Sequence, residues 1–389
     1  MLATQAKLTR NAMRDCDLEG HDPYDGLTSP LFNLPLLRTS WLPRFASQQL
    51  VLRSPVDLRG PMRIPRQLNA VTVALYVQGL ADLAESGRLT KDEVASEISR
   101  WVEKLETLAS PTYSGPCWGY PFPWEGRRHR MPADTPTVVA TSMVVNALHS
   151  VWQSFGNETA RQMVIASSKF VLDDLPRAEG PEGTFCWSYS PVDHQKVLNA
   201  TIKGSRILIQ AIEAGMDVSE VAGCESAAID SARFVALHQE EDGGWPYAAD
   251  GDPRTWRDHH HTGYVLECLD TVSIWTRDPL LSGSVQKGWI HYRSNFFDHD
   301  NLPLYYDDRD GPLDATAAGQ AMITLARFGD AKFGVDVAEA CLSILARPDG
   351  TFVYRRNGKR LSRTHFIRWS TAWMFAGMAR LLRTEAEFA

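Results

Sequence analysis

The sequence predicts an all-α fold, an (α/α)6 toroid in which six inner helices are surrounded by six outer helices. Two observations lead to this prediction: an aromatic loop motif that recurs along the chain, and helices apolar on every face that alternate with helices apolar on one face. The chain has 389 residues, 44% of them apolar, which is enough nonpolar mass for a large core. We therefore expect a single domain, 1–389, whose N-terminal residues 1–60 wrap around the ring and close it.

The recurring loop ends in an aromatic-x-Tyr motif or a close variant. Its five copies are Trp118-Gly-Tyr120, Trp187-Ser-Tyr189, Trp245-Pro-Tyr247, Leu304-Tyr-Tyr306 and Phe352-Val-Tyr354. Successive final tyrosines are 69, 58, 59 and 48 residues apart, a distance that holds one loop and two helices of about fifteen to twenty residues each. Each copy therefore predicts one helical hairpin.

The inner helices are predicted to follow these loops. Their segments are rich in Ala, Ser, Thr and Gly and carry few charges, which is typical of helices packed on all sides. Several end at a glycine that can form a left-handed cap, namely Gly87, Gly156, Gly215 and Gly329. The expected starts lie near Thr135, Asn199, His260, Asp314 and Arg368, with a further inner helix between Pro65 and Ser86.

The outer helices are predicted to be amphipathic. In the first, Val94, Ile98 and Trp101 follow helical spacing behind a capping box formed by Thr90 and Glu93. The expected spans are 92–109, 157–175, 219–239, 281–297 and 331–346, and the N-terminal region is expected to supply the sixth. An open helical solenoid is the alternative, but it gives no reason for an aromatic loop before each inner helix.

Charge and composition exclude several classes of protein. Forty basic against 47 acidic residues give a net charge of −7, which argues against a general nucleic-acid-binding surface. The six cysteines are scattered without a CxxC pair, so we expect reduced thiols and predict neither a metal site nor a cofactor. The N-terminus does not resemble a secretory signal and no stretch reads as a membrane span, so a cytoplasmic location is expected.

Parallel inner helices place all their N-termini on one face, so the aromatic loops should surround one central cavity. Helix N-termini and the basic stretches 126–130 and 355–368 favour an anionic or strongly polar ligand. Aromatic rings with polar tips suit stacking on sugars, whereas rings without polar partners would suit an isoprenoid cation. Because charged residues are dense in these loops, we expect a sugar, and the basic stretches favour an acidic one.

Candidate residues follow from this cavity. The residues predicted to bind substrate are Tyr24, Trp118, Tyr120, Trp124, Glu125, Arg127, Trp187, Tyr189, Asn199, Trp245, Tyr247, His261, Tyr305, Arg368 and Trp369. The residues predicted to be catalytic are Asp193, His194, Asp258, His260, Tyr306 and Asp314, whose side chains can transfer protons.

Simpler roles stay open for several of these residues. Asp314 could serve only as a helix N-cap, and the pair Asp193-His194 could be a loop clamp rather than an acid/base dyad. Asp258 precedes three histidines and could ligate a metal, although adjacent residues at a helix start point in different directions. Arg368 suits a planar carboxylate, and it could equally tie the last inner helix to the ring.

Two resemblances extend this interpretation. The segment Gln239-Glu-Glu-Asp-Gly-Gly-Trp245 resembles the Q-x-x-D-G-x-W signature of squalene cyclases and protein prenyltransferases, which are toroids, although the cyclases' D-x-D-D motif is absent from the sequence. Over nearly its whole length the chain resembles bacterial toroid proteins associated with exopolysaccharide and capsule biosynthesis, related in fold to six-hairpin glycosidases. That second resemblance is carried by Asp22-Pro-Tyr-Asp-Gly-Leu27, Cys117-Trp-Gly-Tyr-Pro-Phe-Pro-Trp124, Thr135-Pro-Thr137 with Thr141-Ser142, Cys186-Trp-Ser-Tyr-Ser-Pro-Val-Asp-His194 with Asn199, His261-Thr-Gly-Tyr-Val-Leu-Glu267 and Arg368-Trp-Ser-Thr-Ala-Trp373. It implies a role in surface polysaccharide metabolism and an association with polysaccharide assembly proteins.

Three functions remain open at this point. The first is a carbohydrate-active enzyme that uses general acid/base catalysis, either for hydrolysis between paired carboxylates or for C5 epimerisation or elimination of a uronate. The second is a toroid enzyme like a terpene cyclase or prenyltransferase, which needs an apolar cavity with an aspartate cluster. The third is a noncatalytic glycan-binding scaffold, which needs the aromatic residues but no acid/base set. The density of His, Arg and Asp in the loops favours the first.

Overall fold

The computed structural model describes residues 1–54, 56–126, 130–362 and 364–387. In these residues the chain is mainly helical, which confirms the predicted all-α class. The α-helices are α1 (Leu2–Asp15), α2 (Pro35–Thr39), α3 (Trp41–Arg53), α4 (Ala70–Glu85), α5 (Lys91–Thr107), α6 (Val138–Phe155), α7 (Glu158–Lys169), α8 (Leu198–Glu213), α9 (Val218–Leu237), α10 (His259–Thr276), α11 (Pro279–Asn295), α12 (Ala315–Arg327), α13 (Ala331–Leu345) and α14 (Thr371–Glu387). A π-helical turn, Phe170–Asp174, continues α7.

The strands are short, antiparallel and confined to the connections. They are β1 (Glu19–Gly20) paired with β2 (Gln67–Leu68), β3 (Trp124–Glu125) with β4 (Arg130–Met131), β5 (Arg177–Glu179) with β6 (Phe185–Trp187), and β8 (Arg355–Asn357) between β7 (Leu313–Asp314) and β9 (Arg360–Leu361). They stiffen the loops without forming a layer of their own.

Six helices form a closed inner ring. In chain order they are α4, α6, α8, α10, α12 and α14; each packs against the next, and α14 packs against α4. Burial follows the composition that predicted this ring: every residue of α8 except Glu213 is buried. The five helices that follow aromatic loops begin within three residues of their predicted starts.

The outer helices surround this ring. Helices α5, α7, α9, α11 and α13 each pack against the inner helix that precedes them, and α1 packs against α13 and α14. The predicted capping box of α5 is present, with Thr90 and Glu93 bonded to each other's backbone N–H. No helix in the described part of the chain combines the length and the hydropathy that a membrane crossing requires.

The aromatic loops are tied to one another by a repeated hydrogen bond. The first backbone N–H of α6 donates to the carbonyl of Tyr189, at 3.0 Å, and the first of α8 donates to Tyr247, at 3.2 Å. The same bond joins α10 to Tyr305 and α12 to Tyr354, both at 3.0 Å. Each loop therefore satisfies a free N–H at the start of the preceding inner helix. Tyr305, rather than Tyr306, is thus the residue equivalent to the other motif tyrosines.

Candidate active site

A cavity of about 260 Å³ lies where the inner helices begin, between the aromatic loops. We call it the aromatic cavity, because nine of its 15 lining residues are Tyr, Trp or Phe. Its lining consists of Tyr24, Val71, Tyr120, Phe122, Trp124, Val139, Met143, Tyr189, Tyr247, His260, His261, Tyr264, Arg368, Trp369 and Trp373. A cavity with flat apolar walls and few polar groups is typical of a small-molecule site.

The motif tyrosines and the motif tryptophans have different roles. Tyr120, Tyr189 and Tyr247 line the cavity. Burial raises the pKa of Tyr189 and Tyr247, so these hydroxyl groups stay protonated and can donate hydrogen bonds. Trp118, Trp187 and Trp245 belong to the core, each at most 2% exposed.

Two of these buried indoles hold their loops to the outer helices. Trp118 Nε1 donates to the carbonyl of Leu105 in α5, at 2.8 Å, and Trp245 Nε1 donates to that of Val235 in α9, at 3.1 Å. These three tryptophans were predicted to bind substrate, but none of them lines the aromatic cavity.

The acid/base groups of the cavity stand at the start of α10. Asp258 caps this helix by accepting from the His261 backbone N–H at 3.1 Å, and its other carboxylate oxygen lies 2.6 Å from His261 Nδ1. His260 Nδ1 is 3.1 Å from Asp258 Oδ1 but outside hydrogen-bond geometry. Both imidazoles line the cavity, their ring centroids are 4.0 Å apart, and Asp258 lies behind them.

These contacts set the protonation of the cluster. Burial opposes the charge of Asp258, but the two imidazoles and the hydrogen bond from His261 outweigh it and lower the pKa of Asp258 well below its usual range. Burial lowers the pKa of His260 to about 4, so this imidazole is neutral at neutral pH. Among the described residues, Nε2 of neither ring has a hydrogen-bond partner, which leaves both nitrogens for a ligand.

The same three residues could hold a metal ion. One ligand atom from each of Asp258, His260 and His261 lies within 4.8 Å of the others, and two imidazoles with one carboxylate are a common donor set for divalent metals. The carboxylate, however, already caps α10 and binds His261 at hydrogen-bond distance. The cluster therefore fits an imidazole pair oriented by a carboxylate as well as it fits a metal site.

Arg368 is the single Lys or Arg that lines the cavity among the described residues. Its Nε donates to Asp22 at 2.6 Å, and its guanidinium stacks on Tyr120 and Trp369 with its carbon 4.6 and 4.5 Å from their ring centroids. The N-terminal segment thus holds the Arg368 guanidinium in the cavity wall through Asp22, and it also contributes Tyr24 to the lining. Trp369 Nε1 is buried without a partner among the described residues, so it can donate to a ligand.

Several predicted catalytic residues lie outside the cavity. Asp193 clamps its own loop, accepting from Ser190 Oγ at 2.5 Å and from the Gln195 N–H at 2.9 Å, and His194 is exposed. Asp314 caps α12 by accepting from the Thr316 N–H at 2.9 Å, and its carboxylate pairs with Arg355. These observations favour the simpler roles, a loop clamp and an N-cap.

The remaining predictions concern loop residues that the lining does not include. Tyr305 accepts from Arg355 Nη2 at 3.0 Å, and Tyr306 stacks against Arg309, whose guanidinium carbon is 4.1 Å from the ring centroid. Glu125 is buried between Arg44 and Arg130. Asn199 is buried at the start of α8. Arg127 lies outside the described residues.

Sequence reasoning missed six lining residues, namely Val71, Phe122, Val139, Met143, Tyr264 and Trp373. Tyr264 could have been found, because it follows His260 and His261 by four and three residues and so shares their face of α10. Met143 and Trp373 carry no acidic or basic group, and most of their neighbours in α6 and α14 are buried as well. Nothing in their sequence context marks the face that turns to the cavity.

The fold defines the chain as an (α/α)6 toroid. No family model and no curated protein matches its sequence. Solved structures of the same fold include cellobiose 2-epimerase from Bacillus thermoamylovorans, with a TM-score of 0.61 and 11% identity over 84% of this chain and 90% of that one. A GH76 α-mannanase from Bacteroides thetaiotaomicron has a TM-score of 0.61 and 10% identity over 82% and 88%. An unsaturated glucuronyl hydrolase specific for heparin has a TM-score of 0.56 and 12% identity over 80% of this chain and 85% of that one. At these identities the likeness establishes the shared fold.

Proposed function

We propose that the protein is a sugar epimerase or isomerase that moves a proton at a carbon next to a carbonyl group. The observation that carries this proposal is the lining of the aromatic cavity: two imidazoles backed by a carboxylate, several phenol groups and one guanidinium. Imidazole is the side chain best suited to proton transfer near neutral pH. The proposal agrees with the activity for which the cellobiose 2-epimerase of the same fold is named.

The same lining weighs against the other reactions. Glycoside hydrolysis needs two carboxyl groups across the sugar, yet among the described residues no Asp or Glu lines the cavity. A terpene cyclase needs an acid aimed at an alkene or an aspartate cluster for a diphosphate, and the described lining offers neither. The carboxylates that were candidates for such roles are already engaged elsewhere. Asp193 is bound within its own loop, Asp314 pairs with Arg355, and Glu125 pairs with Arg44.

The proposed chemistry uses groups that are already positioned. An open-chain reducing sugar carries an aldehyde at C1 and a hydrogen at C2. The imidazole of His260 or His261 removes that proton, and Arg368 or a tyrosine hydroxyl stabilises the negative oxygen of the enediolate. Return of the proton to C2 on the other face gives the epimer, and its return to C1 gives the ketose. The two imidazoles stand on one wall, which favours return to the same face and hence isomerisation.

The direct test is exchange of the sugar's carbon-bound hydrogen with solvent. The protein is incubated in D2O with glucose, mannose, cellobiose and glucuronate, and proton NMR follows each carbon position. We expect deuterium at C2 of at least one neutral sugar, or at C5 of a uronate, because both positions lie next to a carbonyl. Exchange is visible whether the product is an epimer or a ketose, so the result does not depend on choosing the product in advance.

Matched variants separate the cavity from the rest of the surface. His261→Gln is expected to lower the exchange rate about 100-fold or more, since general acid/base groups contribute of that order. His194→Gln changes the same residue type at an exposed position outside the cavity and should leave the rate unchanged. If no sugar exchanges hydrogen but sugars still bind to the cavity, the protein is a glycan-binding scaffold and the proposal is wrong.

A chelator arm tests the metal alternative at the same cluster. We expect exchange to continue after treatment with EDTA, because Asp258 already supplies the charge that orients the His261 imidazole. If exchange is lost on chelation and recovers when one divalent metal is added, the reaction depends on a metal ion and the imidazole is not the base.

The proposal also includes the kind of sugar and the metabolic role of the enzyme. Arg368 supports a sugar with a carboxylate, and the resemblance to exopolysaccharide-associated toroids supports a role in surface polysaccharide metabolism. A cytoplasmic location and association with polysaccharide assembly proteins rest on the sequence alone and stay predictions. A preference for glucuronate over glucose in the exchange assay would support the acidic substrate.

A further inference from the structure

A second cavity opens at the opposite end of the ring. It has a volume of about 290 Å³ and is lined by all six inner helices, chiefly by residues in their second halves. We call it the distal cavity. Met143, Tyr264 and Trp373 line both cavities, so these three side chains separate them along the axis of the toroid.

Two buried cations lie deep in the distal cavity, and neither contacts an acidic side chain in the described part of the chain. Lys203 is 1% exposed; its Nζ lies 3.8 Å from the Tyr264 ring centroid, and its polar contact among the described residues is Met143 Sδ at 3.4 Å. Arg206, one turn further along α8, is 4% exposed. It donates from Nη2 to Ser142, while its buried Nε has no partner among the described residues.

The other charges of the distal cavity are largely paired at its mouth. Arg380 and Arg383 bind Asp82, at 2.9 and 3.2 Å, and Arg327 binds Asp270 at 2.7 Å. His149 Nε2 lies 3.1 Å from the Glu213 carboxylate but outside hydrogen-bond geometry, and the carboxylate of Glu267 accepts from Gln320 and Thr324. Five Lys and Arg residues against three Asp and Glu line the cavity, so the net charge of its wall is positive.

A chain of side-chain amides runs along the same wall. Gln210 donates to Asn146 at 3.0 Å, Asn146 donates to Gln78 at 3.2 Å, and Gln78 donates to Ser150 at 2.9 Å. At the head of this chain Gln210 Oε1 is buried and has no partner among the described residues, so it can accept from a hydroxyl group. Burying a polar atom without a partner costs free energy, and a ligand would remove that cost.

We propose that the distal cavity binds a small polyhydroxy anion, a sugar that carries a phosphate or a carboxylate. Lys203 and Arg206 meet the anionic group, and the amide wall that begins at Gln210 meets the hydroxyl groups. Burial lowers the pKa of Lys203 to about 8, and an anion beside the ammonium would raise it again and stabilise the charged form. This site is separate from the aromatic cavity and would bind a second molecule while the first is being turned over.

Thermal shift and calorimetry with four probes test the site: glucose 6-phosphate, gluconate, inorganic phosphate and glucose. Glucose 6-phosphate or gluconate is expected to raise Tm by mass action, and glucose is expected to have little effect. Lys203→Met removes the charge but keeps an unbranched side chain beside Met143, and it should weaken anion binding at least about tenfold. Arg327→Gln removes a charge from the same mouth that is already paired, and it should leave the affinity nearly unchanged.

A second variant protects the test from a folding defect. Gln210→Glu places a negative charge at the head of the amide chain and should abolish anion binding by repulsion. Equal affinity for glucose and glucose 6-phosphate, or no binding of any anion at millimolar concentration, overturns the proposal. So does anion binding that survives Lys203→Met and is lost in His261→Gln, because it would assign the anion to the aromatic cavity. Inorganic phosphate that binds as tightly as glucose 6-phosphate would overturn the polyhydroxy part of the assignment.

Discussion

Asp258 has two roles at the start of α10. One carboxylate oxygen caps the helix, and the other holds His261 Nδ1 at 2.6 Å, which fixes the orientation of the imidazole. In this arrangement Nδ1 carries the proton and Nε2 is free to act as a base in the aromatic cavity. Position 258 therefore couples the folding of the helix to the protonation state of the site.

Asp258→Asn separates these roles. Asparagine caps helices as well as aspartate does, so we expect little change in the free energy of unfolding from the cap. The amide cannot stabilise an imidazolium, so the rate of sugar hydrogen exchange should fall about 100-fold with little change in sugar affinity. The control is Asp314→Asn, the same substitution at the N-cap of the next inner helix but outside the cavity. An equal loss of activity per folded molecule in both variants would contradict the role given to Asp258.

Buried neutral histidines make the stability of the protein depend on pH. His259 is fully buried, with Nδ1 3.0 Å from the Leu304 carbonyl oxygen and Nε2 2.7 Å from the Tyr292 hydroxyl, so one nitrogen donates and the other accepts. Burial lowers the pKa of His259 to about 3 and that of His365 to about 4. Between these values and about 6.5 the unfolded chain binds protons that the folded protein does not.

We therefore expect the contribution of these histidines to the free energy of unfolding to be largest above pH 6.5 and to fall as the pH decreases towards 4. Urea unfolding followed by circular dichroism across this range measures the effect. His259→Asn can still donate to the Leu304 carbonyl but does not titrate, so the decrease should be smaller in this variant. A parallel pH dependence in the variant and the parent protein would show that His259 is not responsible.

At the scale of the elements, the three aromatic loops that contain Trp118, Trp187 and Trp245 each combine a buried structural residue with a tyrosine that lines the aromatic cavity. Trp245 binds the Val235 carbonyl in α9 and packs so closely on α11 that a Cβ at Gly288 would lie 2.2 Å from its ring. Tyr247, two residues later, lines the aromatic cavity. The backbone carbonyl of the same Tyr247 accepts from the first N–H of α8. The repeated motif of such a loop therefore contributes to packing, to helix capping and to the lining of the cavity.

A matched pair of substitutions tests this division. Trp245→Phe removes the indole donor and part of a buried ring, which should cost about 1–3 kcal/mol of stability and leave the exchange rate per folded molecule unchanged. Tyr247→Phe keeps the ring and removes a hydroxyl that faces the cavity, so it should lower sugar affinity or rate with little loss of stability. Chemical unfolding and the D2O exchange assay distinguish the two outcomes, and the opposite pattern would contradict the division.

The elements were more accessible to sequence reasoning than the site. Helical spacing, caps and the loop repeat predicted the hairpins, because each depends on residues near in sequence. The sequence also shows which residues can transfer protons, but it does not show which of them meet in the cavity. Asp193 and Asp258, for example, are both followed directly by a histidine. Only the structure shows that one carboxylate binds its own loop and the other faces two imidazoles in the cavity. Which residues meet across the ring depends on packing between hairpins far apart in the chain.

At the scale of the whole molecule, the seam between the first and last inner helices decides whether the ring is closed. Gly79 in α4 faces Phe375 in α14, and a Cβ at Gly79 would lie 2.5 Å from the phenyl ring. Near this seam α1 is joined to the first hairpin through Glu97, which accepts from Arg10 at 2.8 Å and from Tyr76 at 2.6 Å. The N-terminal helix thus ties the last hairpin, on which it packs, to the first.

Because the ring has no free end, a defect at this seam should destabilise the whole domain. Gly79→Ala is expected to lower the free energy of unfolding by about 1–3 kcal/mol, since Phe375 is fully buried and has little room to move. The control is Gly223→Ala in α9, where a Cβ meets open space and alanine should add about 0.5–1 kcal/mol through helix propensity.

Unfolding is followed by circular dichroism, by tryptophan fluorescence and by loss of sugar exchange. The three transitions should coincide in the parent and in both variants, because each cavity wall is built from helices on both sides of the seam. A first transition in Gly79→Ala that frees α14 while the other hairpins stay folded would mean that the ring is an open array of hairpins rather than one cooperative body.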